Sequence, residues 1–378
     1  MNANWNYPTS IRTGAGRISE LVEACAELGI KSPLLVTDSG LAAMPMVTEI
    51  AKRLGCPIFS DVRANPTGAN VEAGVQVYGD GRHDGVIAVG GGSGLDAGKA
   101  IALMAGQRCS IWDLEDVSDN FKRADAEAIA PVIAIPTTAG TGSEVGRASI
   151  ILDETAEVKR IIFHPHMLPQ IVFLDPELTV GLPPKLTAAT GMDALSHSLE
   201  AFCSPLFHPL AEGIAVEGIR LVAEFLPRAV ERGDDIEARQ QMLVAASMGA
   251  TAFQRGLGAM HALAHPLGAL YDAHHGMLNA ILMPYVLKAN KAAIGDRIAR
   301  LSRYLDLTDS FLQWVLDLRS EIGIPHDLAA IGIDDSKLER VGQMATEDPS
   351  AATNPIPFEA ARYTEICRAA VRGELRSI

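Results

Sequence analysis

Long apolar runs, basic stretches and a leader-like start are all missing from this chain of 378 residues. No run reaches about 18 uncharged apolar residues, so we expect no helix that spans a membrane. The opening residues MNANWNYPTSIRTG lack the basic-then-apolar pattern of a secretory signal, so none is expected. With 32 Lys and Arg against 46 Asp and Glu, the net charge of −14 argues against nucleic acid or an anionic membrane as a partner.

Cysteine is scarce as well, with five in the chain and no C-x-x-C pair among them. This argues against a disulfide framework and against a thiolate zinc site, and it favours a reducing cytoplasm. We expect all of them to be small buried apolar residues. They are Cys25, Cys56, Cys109, Cys203 and Cys367.

The length favours two domains, and residues 1–180 alternate between short β-rich segments and amphipathic ones. This alternation predicts an α/β domain with a parallel sheet and helices on both of its faces. Strands are predicted over 32–38, 56–59, 84–90, 131–136 and 171–175. One helix is predicted to follow the first strand and to end at residue 54, and others are predicted over 70–80 and 94–106. A hairpin is predicted over 148–164.

Residues 181–378 have a different pattern, with long stretches of 3.6-residue periodicity such as 208–230 and 236–253. N-capping residues precede Ile236 and Phe311, so we predict an all-helical domain here. The sequence GLPP at 181–184 marks the boundary, because two prolines stop a strand and can begin a helix.

The segment VIAVGGGSGLDAGKA (86–100) predicts a strand, a glycine-rich turn and a helix. Consecutive glycines let the backbone approach a ligand, and the new helix presents unpaired N–H groups to it. We interpret the segment as a pyrophosphate-binding loop, although it lacks the usual dinucleotide fingerprint. An ordinary tight turn is the alternative.

Two further loops support a nucleotide site at the carboxyl ends of the strands. Asp38 follows the first predicted strand, where its carboxylate can accept hydrogen bonds from the ribose hydroxyls of adenosine. A 2′-phosphate would meet Asp38 as a like charge, so the residue favours NAD over NADP. The loop PTTAGTGSE (136–144) offers hydroxyl groups to the same edge from Thr137, Thr138 and Thr141.

Four of the ten histidines lie within HALAHPLGALYDAHHG (261–276). His261 and His265 are four residues apart on one helix face, and His275 follows. Asp193 and His197 have the same spacing on an upstream helix. Imidazoles together with one carboxylate suit Fe²⁺, Zn²⁺, Co²⁺ or Mn²⁺ and can leave coordination positions vacant. For each motif by itself, the alternative to a metal site is a pair of residues on the surface of a helix.

Four segments in this order resemble the iron-containing, metal-dependent alcohol dehydrogenase family: GGGSGLDAGKA, PTTAGTGSE, LPPKLTAATGMDALSHSLEA and GLGAMHALAHPLGALYDAHHG. The resemblance covers essentially the whole chain. It implies a Rossmann-like dinucleotide domain (1–180) and an all-α metal-binding domain (181–378), an architecture shared with dehydroquinate synthase. It also implies NAD, a divalent metal and a homodimer formed through N-terminal strands.

The resemblance assigns residues to these roles. His265 matches a histidine near the nicotinamide that is not a ligand, and a role for it as a proton relay is predicted. Gly98, where members often carry a larger residue, is expected to be harmless. The implied metal ligands are Asp193, His197, His261 and His275, and the implied cofactor residues are Asp38, Asn65, Gly91, Gly92, Ser93, Asp96, Thr137, Thr138 and Lys159.

The predicted reaction is reversible hydride transfer between an alcohol carbon and the nicotinamide, with the metal lowering the pKa of the alcohol. The ligand types leave the metal open between Fe²⁺ and Zn²⁺, since both accept this set. The resemblance leaves the substrate open among methanol, ethanol, lactaldehyde, propanediol and 4-hydroxybutyrate. Two alternatives remain. One is an NAD- and metal-dependent lyase of the dehydroquinate synthase type, and the other is a non-catalytic protein that binds metal or nucleotide.

Overall fold

The computed structural model of this chain describes residue 7 and residues 9–378. Residues 1–6 and 8, which carry much of the expectation that no secretory signal is present, lie outside the described residues. The described residues form two compact units, 7–181 and 182–378. No helix in the described part of the chain has the length and hydropathy needed to cross a membrane.

The N-terminal unit is an α/β structure, as predicted. Its strands are β1 (Ser10–Thr13), β2 (Pro33–Val36), β3 (Ile58–Phe59), β4 (Gly85–Gly90), β5 (Val132–Pro136), β6 (Ala148–Asp153), β7 (Val158–Phe163) and β8 (Ile171–Leu174). Its helices are α1 (Leu21–Glu27), α2 (Pro45–Leu54), α3 (Gly68–Asp80) and α4 (Gly92–Met104). Six strands form a parallel sheet in the order β1-β8-β5-β4-β2-β3, and β6 and β7 form the predicted antiparallel hairpin.

Helices cover both faces of the parallel sheet, which explains why its inner strands are apolar throughout. Every residue of β2, β4, β5 and β8 is buried. On β4, Ile87 and Val89 pack in one core cluster with residues of α1 and α2. Ala88 points to the opposite face, where α4 lies against it at Gly98.

Strand β1 and helix α1 were missed by the sequence analysis. The strand has only four residues, with two of them exposed, so it shows neither a buried apolar run nor a clear alternation. It is ordered by pairing in parallel with β8, from Ser10 beside Ile171 to Thr13 beside Leu174. A pairing partner that lies about 160 residues away in the chain leaves no local signal.

The C-terminal unit is helical, as predicted, and has no strand among its described residues. Helix α5 is buried over most of its length and packs against α6, α7 and α9. The helices are α5 (Pro184–Cys203), α6 (Pro209–Glu231), α7 (Ile236–Ala252), α8 (Ala259–Tyr271), α9 (His275–Ala289), α10 (Lys291–Tyr304), α11 (Phe311–Glu321), α12 (Leu338–Glu347) and α13 (Ala360–Arg372).

The helix starts follow the capping residues found in the sequence. The Asp235 carboxylate accepts a hydrogen bond from the backbone N–H of Ala238 at 3.0 Å and caps α7. The Ser310 hydroxyl accepts one from the N–H of Gln313 at 3.2 Å and caps α11. Pro184 begins α5, where its missing N–H leaves no intrahelical bond unmade.

Gly98 allows α4 to approach β4 more closely than any other residue would. A Cβ atom at Gly98 would lie 2.6 Å from the Cβ of Ala88. Glycine at position 98, where family members often carry a larger residue, was expected to be harmless. The structure shows that the close packing of α4 against the sheet requires it.

We predict that Gly98→Val lowers the free energy of unfolding by about 1–3 kcal/mol, because the helix must move away from a buried strand. Gly79→Ala is the matched control, since a Cβ at Gly79 on α3 meets no atom within 4 Å. We expect that control to stabilise by about 0.5–1 kcal/mol through helix propensity. Urea unfolding measures both, and an equal response of the two variants would contradict the packing argument.

Candidate functional site

Four side chains predicted as metal ligands lie together in the C-terminal unit. Ligand atoms of Asp193, His197, His261 and His275 all lie within 4.8 Å of one another. The first three are buried, whereas the side chain of His275 is 28% exposed. The group is thus buried on one side and reachable from His275 on the other.

Three helices position these residues, where the sequence analysis expected two. Asp193 and His197 lie one turn apart on α5, and His261 lies in the first turn of α8. Asp272 adopts a left-handed conformation (φ 50°) and ends α8, so His275 begins a separate helix, α9. Pro266 lies inside α8 and does not end it.

The electrostatics of the group favour an anionic carboxylate among imidazoles. Burial by itself raises the pKa of Asp193, but the three nearby imidazoles and the amide of Asn279 outweigh burial and lower that pKa well below its usual range. The Asn279 Nδ2 atom donates a hydrogen bond to Asp193 Oδ1 at 2.8 Å. One carboxylate with three imidazole nitrogens is a donor set that suits a divalent transition metal.

His265 has a different environment from His261, which spacing alone did not show. It lies outside the four-residue group, and its ring stacks on His275 with the centroids 5.4 Å apart. The Nδ1 atom of His265 lies 2.7 Å from Asp348 Oδ2. That hydrogen bond fixes the ring orientation and leaves Nε2 for another partner.

Sequence reasoning missed three polar residues of this region: Glu200, Asn279 and Asp348. A signal existed for the first two, because Glu200 follows His197 by three residues on α5 and Asn279 follows His275 by four on α9, so each shares a helix face with a predicted ligand. No local signal existed for Asp348, which lies 83 residues from His265 in the chain.

The predicted pyrophosphate-binding loop lies between β4 and α4 in the N-terminal unit. No side chain caps α4, so its first N–H groups remain available to a ligand. A Cβ at Gly92 would lie 2.7 Å from Thr141 Oγ1, and one at Gly91 would lie 3.2 Å from Thr138 Oγ1. The structure therefore packs this loop against the threonine loop that follows β5.

Asp38 lies at the same edge of the sheet, because β2, β4 and β5 are parallel neighbours. Its Oδ1 atom accepts hydrogen bonds from the N–H groups of Gly40 at 2.9 Å and Leu41 at 3.1 Å. A Cβ at Gly90 would lie 3.6 Å from Oδ2. The carboxylate is thus held beside the glycine-rich loop by its own backbone.

Other predicted cofactor residues fall into two groups. Lys159 Nζ donates to Asn65 Oδ1 at 2.8 Å, and the Ser93 hydroxyl donates to the carbonyl of Ala64, so the structure brings Asn65, Ser93 and Lys159 together. Asp96 is buried, and its carboxylate accepts from the Ser143 hydroxyl at 2.5 Å and from the N–H of Ile150 at 3.0 Å. A contribution of Asp96 to cofactor binding stays a prediction.

Two further histidines have local roles. The His274 side chain accepts a hydrogen bond from the N–H of Met277 and caps α9. His164 is buried and accepts one from the N–H of His166 at 3.0 Å.

We predict a pH-dependent loss of stability in Asp348→Asn. Burial raises the pKa of Asp348, but the His265 imidazole and hydrogen bonds from His265 and Ser350 outweigh it and lower that pKa. A carboxyl whose pKa is lower in the folded state stabilises the protein at pH values above its unfolded-state pKa of about 3.9. This stabilisation is lost as the pH falls through the folded-state pKa. We expect the variant to be about 1–2 kcal/mol less stable at pH 7, with the difference shrinking below about pH 4.

Urea unfolding of the metal-free protein between pH 3 and pH 7 measures this difference. Glu321→Gln, which changes an exposed carboxylate at the end of α11, is the control and should show little effect. A difference between wild type and Asp348→Asn that is constant across this range would contradict the ionised pairing.

The chain matches known proteins over most of its length. The model of the iron-containing alcohol dehydrogenase family matches residues 8–176, and the model of the C-terminal domain of that family matches residues 187–371. A 4-hydroxybutyrate dehydrogenase of Cupriavidus necator is 40% identical over 372 residues, which cover 94% of this chain and 97% of that protein.

Solved structures agree as well. A 1,3-propanediol oxidoreductase superposes with a TM-score of 0.91 and 33% identity, covering 97% of this chain and 100% of the other. A sulfoacetaldehyde reductase from Bifidobacterium kashiwanohense in complex with NAD⁺ has a TM-score of 0.89 and 27% identity, with 98% and 99% covered. The fold class predicted from the sequence is confirmed, and the chain belongs to the iron-containing alcohol dehydrogenase family.

Proposed function

We propose that this protein transfers a hydride reversibly between NAD and a primary alcohol or hydroxy acid, with a divalent metal polarising the alcohol oxygen. The observation that carries the proposal is the group of one carboxylate and three imidazoles in a chain of this family. Asp193, His197, His261 and His275 would hold the metal. When bound, the metal supplies Lewis acidity, which lowers the pKa of an alcohol hydroxyl.

The residues of the N-terminal unit would hold NAD. The N–H groups at the start of α4, next to Gly91 and Gly92, would bind the pyrophosphate, and the absence of a side-chain cap on this helix supports that role. Thr138 and Thr141 pack against that loop and supply hydroxyl groups. Asp38 accepts hydrogen bonds from the ribose hydroxyls and repels a 2′-phosphate, which favours NAD over NADP.

His265 is the proposed proton carrier. Its Nδ1 atom is engaged by Asp348, so Nε2 is the atom that accepts the alcohol proton and passes it towards solvent. Asp348 acts as the residue that orients this ring.

The substrate class follows from the relatives. The similarity to a 4-hydroxybutyrate dehydrogenase makes an ω-hydroxy acid the first substrate to test, and the similarity to a 1,3-propanediol oxidoreductase adds diols. These matches favour a dehydrogenase over both alternatives considered from the sequence, the lyase and the non-catalytic protein. A homodimer and a cytoplasmic location remain predictions, which rest on family resemblance and on cysteine usage.

We predict NADH formation at 340 nm when protein loaded with Fe²⁺ or Zn²⁺ is given NAD and 4-hydroxybutyrate, 1,3-propanediol or ethanol. His261→Ala should retain no metal and give no measurable turnover, because a buried ligand is lost. His326→Ala changes an exposed histidine of the same unit and should behave like wild type. Full activity of metal-free His261→Ala, or no turnover by loaded wild type with any alcohol, diol or hydroxy acid, would refute the proposal.

A second prediction concerns the choice of cofactor. Asp38→Gly should lower the ratio of kcat/KM for NAD to that for NADP by about tenfold, equivalent to about 1.4 kcal/mol, since the repelling carboxylate is gone. Asp80→Gly removes an exposed charge from the end of α3 and is the matched control. An unchanged ratio in Asp38→Gly would remove this residue from cofactor selection.

A further inference from the structure

Glu200 is a buried carboxylate with no role in the proposed reaction. Its Oε2 atom lies 2.7 Å from Nδ1 of His261, and the two side chains are 5% and 1% exposed. The same carboxylate accepts backbone hydrogen bonds from Gly258 at 2.9 Å and from Met260 at 2.7 Å. Three N–H donors therefore converge on one side chain.

This arrangement determines which nitrogen of His261 faces the other ligands. A carboxylate accepts hydrogen bonds, so Nδ1 of His261 carries the proton and donates it. In the neutral imidazole, the form that binds a metal, Nε2 is then the unprotonated nitrogen. It lies on the side of Asn279, at 3.2 Å from Nδ2 of that residue. Asn279 in turn contacts Asp193, so Nε2 of His261 points into the four-residue group.

Glu200 also joins the two helices that carry most of this group. It lies on the face of α5 that holds Asp193 and His197, at spacings of seven and three residues. The backbone N–H groups that donate to Glu200 belong to the start of α8. The N-cap residue of this helix, Gly258, has no side chain that could cap it. One carboxylate thus fixes the start of α8 relative to the ligands on α5.

The charge of Glu200 is appropriate for a buried dication. Asp193 supplies one negative charge to the four-residue group, and Glu200 supplies a second from behind His261. Together they offset the two positive charges of the proposed metal, which lowers the cost of burying it.

We infer that Glu200 is a positioning residue that sets metal affinity by fixing the protonated nitrogen and the orientation of His261. The inference rests on the proposed metal site. A histidine ligand whose second nitrogen donates to a carboxylate binds its metal more tightly, and loss of such a partner typically costs about 10–100-fold in affinity.

The test compares Zn²⁺ affinities, measured by competition with a chromophoric chelator. Glu200→Gln keeps the size of the side chain and a carbonyl oxygen for the backbone donors, but it removes the charge and can turn an N–H towards Nδ1 of His261. We expect its dissociation constant for Zn²⁺ to rise by about 10–100-fold. The visible spectrum of the Co²⁺-loaded variant should shift as well, because the geometry at the ligand changes.

Asn354→Ala is the matched control for helix capping. The Asn354 side chain accepts the N–H of Ala259 at 3.0 Å, so it caps the same helix without contacting His261. We expect this variant to unfold at a lower temperature and to keep its Zn²⁺ affinity.

Glu200→Asp is a second variant, to be used if Glu200→Gln does not fold. It keeps the negative charge on a shorter side chain. Its affinity should be weakened because the distance to His261 increases.

Two results would overturn the inference: a Zn²⁺ affinity of the Glu200 variant equal to wild type, or an equal loss in Asn354→Ala, which would reduce Glu200 to a helix cap. If wild type itself binds no Zn²⁺, Fe²⁺ or Co²⁺, the proposed metal site is refuted and the inference with it. Zn²⁺ binding without turnover would instead refute only the proposed reaction.

Discussion

The chemistry of the C-terminal helices depends on one constraint, the burial of the Asp193 carboxylate. An ion inside a protein costs several kcal/mol unless opposite charge or hydrogen-bond donors surround it. Asp193 is 3% exposed, and its surroundings consist of three imidazoles and the amide of Asn279. A dication among these groups would meet the Asp193 charge directly and the Glu200 charge from behind His261, which is the physical basis for the proposed metal site.

The same requirement extends outward from the four proposed ligands to the residues that hydrogen-bond them. A histidine that binds a metal through one nitrogen needs an acceptor for its other nitrogen. Glu200 is such an acceptor for His261, a proposed ligand. Asp348 does the same for His265, which carries no proposed bond to the metal. Two histidine–carboxylate pairs therefore lie in one region, a buried one at His261 and a partly buried one at His265. In the proposals above, the first pair tunes a metal ligand and the second orients a proton carrier.

In the N-terminal unit the constraint is one of space, since the backbone of the glycine-rich loop lies close to the side chains around it. A Cβ at Gly91 would contact the hydroxyl of Thr138, and a Cβ at Gly92 would contact that of Thr141. A Cβ at Gly98 would likewise contact Ala88. Small residues thus let β4, α4 and the loop after β5 approach one another and leave the first N–H groups of α4 available for an anion.

The sequence by itself determined the class of both halves and the strands at the centre of the sheet, because period and capping are local signals. Spacing made Asp193 and the histidines candidates for a metal group, but only the family resemblance separated His261 from His265. Only the tertiary structure decided what depends on partners distant in the chain. Strand β1 forms because β8 offers it a pairing edge, and Asp348 meets His265 across 83 residues. The break at Asp272, which gives His275 a helix of its own, was also missed, since a left-handed residue other than glycine leaves little trace in a sequence.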